Sequence, residues 1–207
     1  MEIEMKYSIP TEEMAGTIWD ELSMSEMADT GSAEKIVMKA VYFDTDDMDL
    51  AAHNVTVRVR AEGERSFATL KWGGKSELGL HEREEVNIPI SGEEFFIQPP
   101  ADMFRESETG LDLVRIIGDK QLRNLLETRF LRRRIRIFYS GSLIELAIDT
   151  GKIITDNGER RICELELELY NGSTEAVRDL GERIAQAFGL EPENKSKFAR
   201  GLELLRS

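Results

Sequence analysis

Polar and apolar positions alternate along much of this chain. In MEIEMKY (residues 1–7) Glu2, Glu4 and Lys6 fall on one side and Ile3, Met5 and Tyr7 on the other, because successive side chains of an extended segment point to opposite faces. VTVRVR (55–60), FATLKW (67–72), HEREEVNIPI (81–90), RRRIRIF (132–138), LIELAID (143–149) and CELELEL (163–169) follow the same rule, with one aliphatic and one charged or polar face. All are expected to be strands. KAVYFDT (39–45) is a further β-branched and aromatic run. It brings the number to about eight, enough for an antiparallel sheet to close on itself. AEGER (61–65), YSGS (139–142) and DNGER (156–160) are short, Gly-containing connections of the kind that suit hairpins.

Helical spacing is rarer. The pattern predicts helices over 10–28, with Thr11 as cap, over 118–129, over 173–189, ending at Gly189, and over 196–206. Residues 91–117, with Pro99 and Pro100, read as a looser excursion. The expected fold is α+β, a single domain over 1–207: an eight-stranded antiparallel β-barrel with helices packed on the outside.

The charged sides of the strands carry Glu2, Glu4, Lys6, Arg58, Arg60, Lys71, Arg83, Glu85, Arg132, Arg134, Arg136, Glu145, Asp149, Glu164, Glu166 and Glu168, eight acids and eight bases. A wet face of mixed charges is the ordinary explanation. Here, however, Arg and Glu recur in blocks of one sign, and the aliphatic faces need the helices to cover them. With the helices outside, the charges point inward, where they must pair or bind something. Acids spaced i, i+2 suit hard divalent cations. Converging Arg and Lys suit an anion with several phosphates. Together they suggest a metal-bound polyphosphate held by side chains, since neither a Walker-type loop nor a dinucleotide glycine motif is present.

Composition narrows the classes. A net charge of −13 argues against non-specific nucleic-acid binding, although an acidic protein can still hold a cationic pocket. Cys163 is the only cysteine, which excludes an internal disulfide and a thiolate zinc cluster; its place in CELELEL predicts a core thiol. His53 and His81 are expected at strand ends on the surface. No apolar leader or spanning segment is visible, so no membrane partner and a soluble, cytoplasmic protein are expected. No feature compels an oligomer or excludes a homodimer.

The run of motifs resembles the CYTH domain, or triphosphate tunnel metalloenzyme, superfamily. EIEMK (2–6) is similar to its hallmark E-x-E-x-K, and YFDT (42–45), VRVR (57–60), TLK (69–71), EREE (82–85), TRFLRRRI (128–135), ELAID (145–149), ELELEL (164–169) and SKFARGL (196–202) follow in the family's order. The resemblance implies a triphosphate in a charged tunnel. Lys6, Arg58, Arg60, Lys71, Arg132 and Lys197 stand where the family holds it, with Arg129 and Arg134 as further contributors.

Glu2, Glu4, Asp149, Glu164 and Glu166 stand where the family holds Mg²⁺ or Mn²⁺, with Glu2, Glu4, Lys6 and Glu166 closest to the chemistry. Arg83, Glu85, Glu145 and Glu168 have a supporting place in the wall, and Tyr42 and Asp44 support the fold. The implied activity is metal-dependent hydrolysis of tripolyphosphate or a small organic triphosphate such as ATP or thiamine triphosphate. Cyclisation of ATP to cyclic AMP, or non-catalytic polyphosphate or nucleotide binding, are the alternatives.

Overall fold

The computed structural model describes residues 1–207. β1 (Glu2–Ser8) leads into α1 (Glu12–Ser23), capped by the Thr11 hydroxyl, which accepts from Met14 N at 3.1 Å. A long β2 (Ala28–Asp44), the one-turn α2 (Asp49–Ala52) and the meander β3 (Val55–Glu62), β4 (Arg65–Glu77) and β5 (Leu80–Ile90) follow. After α3 (Glu108–Ile117) come β6 (Arg123–Tyr139), β7 (Ser142–Thr155) and β8 (Gly158–Asn171), then α4 (Thr174–Phe188), the two-residue β9 (Glu191–Pro192) and α5 (Lys197–Leu205).

The strands are hydrogen-bonded in the order β5-β4-β3-β2-β6-β7-β8-β1, each pair antiparallel, and pairing of β1 with β5 (Glu2 opposite Arg83) closes the barrel. β9 lies against β1 where β5 has left it. Closure runs through Leu80 to Arg83 of β5, which pair with β1 and remove most of the sheet's free edge.

The core lies outside this barrel. Met5, Tyr7, Ile135, Ile137, Ile144, Leu146, Leu165 and Leu167 form one buried cluster with Ala15, Ile18 and Leu22 of α1 and Val177, Leu180 and Ile184 of α4. Cys163 belongs to the same cluster, as its alternation predicted. A second cluster joins Val57, Val59 and Leu70 to Leu50 of α2 and Leu113 and Ile117 of α3. With helices covering the aliphatic faces, the charged faces are left to the interior.

Two segments differ from expectation. The helix predicted over 118–129 is absent: α3 ends at Gly118, which takes φ +59°, and β6 begins at Arg123. Leu122, Leu125 and Leu126 imitate a helical stripe because a bulge interrupts the strand period. Leu126 faces Tyr42 while Asn124 faces Phe43, so Leu125 is the extra residue. The excursion over 91–117 contains two 3₁₀ turns and α3, whose Leu113 and Ile117 cover the barrel wall. The first helix is also shorter than predicted, because residues from Ala28 onward extend β2.

Candidate active site

Inward-facing side chains surround a cavity of about 590 Å³ along the barrel. Eleven Lys and Arg and seven Glu line it, a surplus of four positive charges in a chain of net −13. Low-dielectric walls focus such a field onto an anion.

α5 closes one end. The Ser196 hydroxyl caps it, accepting from Ala199 N at 3.1 Å, and Phe198 stacks on Tyr42 of β2 with ring centroids 5.4 Å apart. This aims Lys197 at the acids of β7 and β8: its ammonium lies 2.7 Å from Asp149 and 2.9 Å from Glu166, and also meets Glu164. Arg132 grips both oxygens of Asp149 at 2.8 and 2.7 Å and reaches Glu166 as well. Lys6 stands 2.9 Å from Glu166 and 3.2 Å from Glu4. Burial opposes ionisation of Glu166, but Lys197, Lys6 and Arg132 outweigh it and hold the carboxyl well below its usual range. Lys6 is likewise held charged: burial works against the ammonium, and Glu166 and Glu4 more than offset it.

Farther along the wall, Lys71 bridges Glu2 at 2.6 Å and Glu85 at 2.5 Å. Arg58 and Arg60 sit only loosely against Glu85, at 4.0 and 3.9 Å; the Arg58 Nε is buried without a partner, while the Arg60 Nε lies 2.9 Å from Glu62. The Arg58 donor faces a cavity rich in cations, where an anion would satisfy it. At the open end Arg134 lies 3.4 Å from Glu145 and pairs with Glu34, and Tyr170 donates to Glu145 at 2.7 Å. Arg83 and Arg136 also line the cavity.

One acid has no cation. Glu168 sits opposite Glu4 across the β1–β8 ladder, and burial, with the charges of Glu2, Glu4 and Glu145, pushes its carboxyl up to about 8. Glu2 is also raised, chiefly by burial. Crowded carboxylates that keep a proton fit a divalent cation, which would replace it with oxygen ligation.

The folded state therefore holds a proton on Glu168 between the ordinary value of 4.5 and about 8, so this group favours folding at low pH and that contribution is lost as pH rises through 8. In EDTA the melting temperature should fall from pH 6 to pH 8.5, and Glu168→Gln should flatten the slope. Mg²⁺ should raise the wild-type melting temperature more at pH 8.5 than at pH 6, since cation and proton compete. A slope that Glu168→Gln leaves untouched would mean this carboxyl is already ionised.

Strand alternation sorts the arginine run. Arg132, Arg134 and Arg136 point in; Arg133 points out, over the Trp19 ring of α1 at 5.4 Å, and Arg129, 57% exposed, pairs with Glu127. Arg129 is thus removed from the expected phosphate contacts. Asp149 and Glu164 point inward, fully buried beneath Lys197 and outside the cavity lining. With Glu166 they form a group whose oxygens lie within 4.8 Å, but cations already occupy it.

His81, expected at the surface, is 1% exposed: the segment before α5 folds over it, and its Nε2 lies 2.8 Å from the Glu193 carbonyl. His53 is exposed as predicted. Asp44 supports the fold by accepting from Leu50 N and Ala51 N at the start of α2. Tyr42 also faces the cavity, and although burial favours the phenol, Arg58 outweighs it and lowers the pKa. Arg200, in SKFARGL, is the buried partner of Glu164 that alternation could not find, because it comes from a helix.

A closed barrel with a cationic, carboxylate-bearing interior defines the class, and comparison with known proteins places the chain in it. The CYTH domain family model matches residues 1–202, and the chain belongs to that family. It is 30% identical over 168 residues to an inorganic triphosphatase of Haemophilus influenzae, a match spanning 81% of this chain and 46% of that protein. The chain thus spans about half the length of that curated relative. In fold it is similar to a Hippeastrum protein described as a candidate adenylyl cyclase with a dominant triphosphatase activity (TM-score 0.70, 23% identity, 98% of this chain and 96% of that one). A candidate adenylate cyclase of Bacillus halodurans also shares it (TM-score 0.57, 23% identity, 95% and 94%). No helix is long and apolar enough to cross a membrane.

Proposed function

We propose that this protein hydrolyses a triphosphate, tripolyphosphate or a small organic triphosphate, in the barrel cavity with Mg²⁺ or Mn²⁺. The observation that carries the reading is the surplus of cations on one cavity whose crowded acids, Glu2, Glu4 and Glu168, lack enough cations of their own. Membership of the CYTH family and likeness to an inorganic triphosphatase support it.

Phosphoryl transfer needs positioning and charge neutralisation more than covalent help from the protein. Arg58, Arg60, Arg132, Lys71, Lys6 and Lys197 hold the phosphate oxygens in this reading, with Arg134 and Arg83 nearer the open end. Glu2, Glu4 and Glu168 would hold the cation, whose chemistry when bound would be Lewis-acid charge neutralisation and a more acidic bound water. Glu166, kept ionised by three cations, fixes Lys6, Lys197 and Arg132 relative to one another. Glu85 does the same for Lys71, and Glu145 for Arg134.

The test is parallel incubation with tripolyphosphate, ATP and thiamine triphosphate in Mg²⁺ and in Mn²⁺, following phosphate and cyclic AMP together. Phosphate release, fastest with the substrate carrying the least beyond its phosphates, is expected. Cyclic AMP as the main product would replace hydrolysis by cyclisation, and binding without any product would reduce the protein to a sensor.

A further inference from the structure

The acids under Lys197 raise a question of charge. Asp149, Glu164 and Glu166 bring their oxygens within 4.8 Å of one another, and the Lys197 ammonium touches all three. Asp149 and Glu166 have Arg132 in addition, and Glu166 has Lys6. Glu164, fully buried, has only Lys197 and one other cation, Arg200.

Arg200 lies three residues after Lys197, on the same side of α5. It is 5% exposed and absent from the cavity lining; its Nη2 donates to one Glu164 oxygen, its Nη1 lies 3.8 Å from Glu193, and its Nε has no partner.

From this we infer that Arg200 is a positioning residue for substrate binding: by neutralising Glu164 it leaves the Lys197 ammonium at the cavity wall, available to a phosphate. The inference rests on the reading of Lys197 as a phosphate contact. An ammonium is a compact charge on a flexible stem and moves toward the strongest uncompensated acid. Without Arg200 that acid is Glu164, on the side of Lys197 away from the cavity. Lys197 already touches Glu164 but shares that acid with Arg200; as the only cation left on it, the ammonium would be held more tightly and be harder for a phosphate to draw to the cavity.

The experiment measures the Kd of tripolyphosphate by calorimetry in EDTA, and KM and kcat with Mg²⁺, for wild type, Arg200→Met, Arg200→Lys and Glu164→Gln/Arg200→Met. Arg200→Met should weaken binding and raise KM about tenfold, while kcat stays within about threefold. Arg200→Lys, which keeps the charge, should recover most of the loss. The double variant should also recover it, because the acid that needed compensation is gone; a purely structural Arg200 would not be rescued in this way.

An unchanged Kd in Arg200→Met overturns the inference, as does a double variant that binds as weakly as the single one. If Arg200→Met does not fold, the double variant against wild type decides: matched Kd values support the inference and a tenfold weaker one overturns it. Wild type that binds but does not turn over removes the hydrolase reading and leaves the Kd comparison standing. Wild type that does not bind tripolyphosphate removes both.

Discussion

Glu4→Ala should cut metal-dependent phosphate release at least 100-fold, about 2.7 kcal/mol of transition-state stabilisation, while the melting temperature in EDTA moves by only a few degrees. The asymmetry follows from the neighbours of Glu4. Its one ion-pair partner, Lys6, keeps Glu166 at 2.9 Å when Glu4 is lost, so no buried cation is stranded. In the proposed site Glu2 and Glu168 would be left as the cation's ligands, and two carboxylates hold a divalent ion far less well than three. The mutation also relieves part of the repulsion on Glu168, so that carboxyl should ionise at lower pH than in wild type. Two measurements check the account: phosphate release against Mg²⁺ concentration, and the gain in melting temperature on adding Mg²⁺, which should largely vanish. Hydrolysis by Glu4→Ala or by EDTA-treated wild type at the wild-type rate would remove the carboxylates from the proposed chemistry.

Much of this site was legible because a strand states its geometry in its period. Glu2, Glu4 and Lys6, or Glu164, Glu166 and Glu168, can share a direction only if the chain is extended, and the aliphatic partners of that alternation had to be covered from the other side. Knowing that helices were available to cover them was enough to turn the charges inward. The same rule separates Arg132 from Arg133, although neighbouring arginines look equivalent in sequence.

Depth along the barrel is what alternation does not encode. Asp149 and Glu166 have the same side and the same residue chemistry, yet one lies sealed under α5 and the other lines the cavity. That difference depends on where a helix more than thirty positions away comes to rest, as does the burial of His81 beneath the turn before α5. Arg200 escaped for a related reason: helical spacing assigns it a face, but not the buried acid that the face meets. The false helix over 118–129 arose where a bulge breaks the two-residue period, which is where period-based reading has nothing to hold.

The second large effect concerns stability. Arg132→Ala should lower it by roughly 3–5 kcal/mol, because removing one partner of a buried ion pair leaves the other charge uncompensated. Arg132 is the only residue that joins Asp149 and Glu166 through a planar fork, and Asp149 is fully buried with Lys197 as its sole remaining cation. For a domain of this size the loss corresponds to a fall in melting temperature on the order of 10 °C.

Arg132→Lys should recover only part of it, since a point charge cannot serve both oxygens of Asp149 and reach Glu166. The pH dependence supplies an independent check. Glu166 has its folded pKa lowered, so its contribution is present above the ordinary value of 4.5 and lost as pH falls through the folded one. Removing Arg132 weakens that depression, so the variant should be least stable relative to wild type near neutrality and converge with it in acid. Parallel unfolding curves separated by the same gap from pH 7 down to pH 3 would show that Arg132 acts through its packing against Phe130, whose ring centre lies 5.7 Å from the guanidinium, and not through the acids.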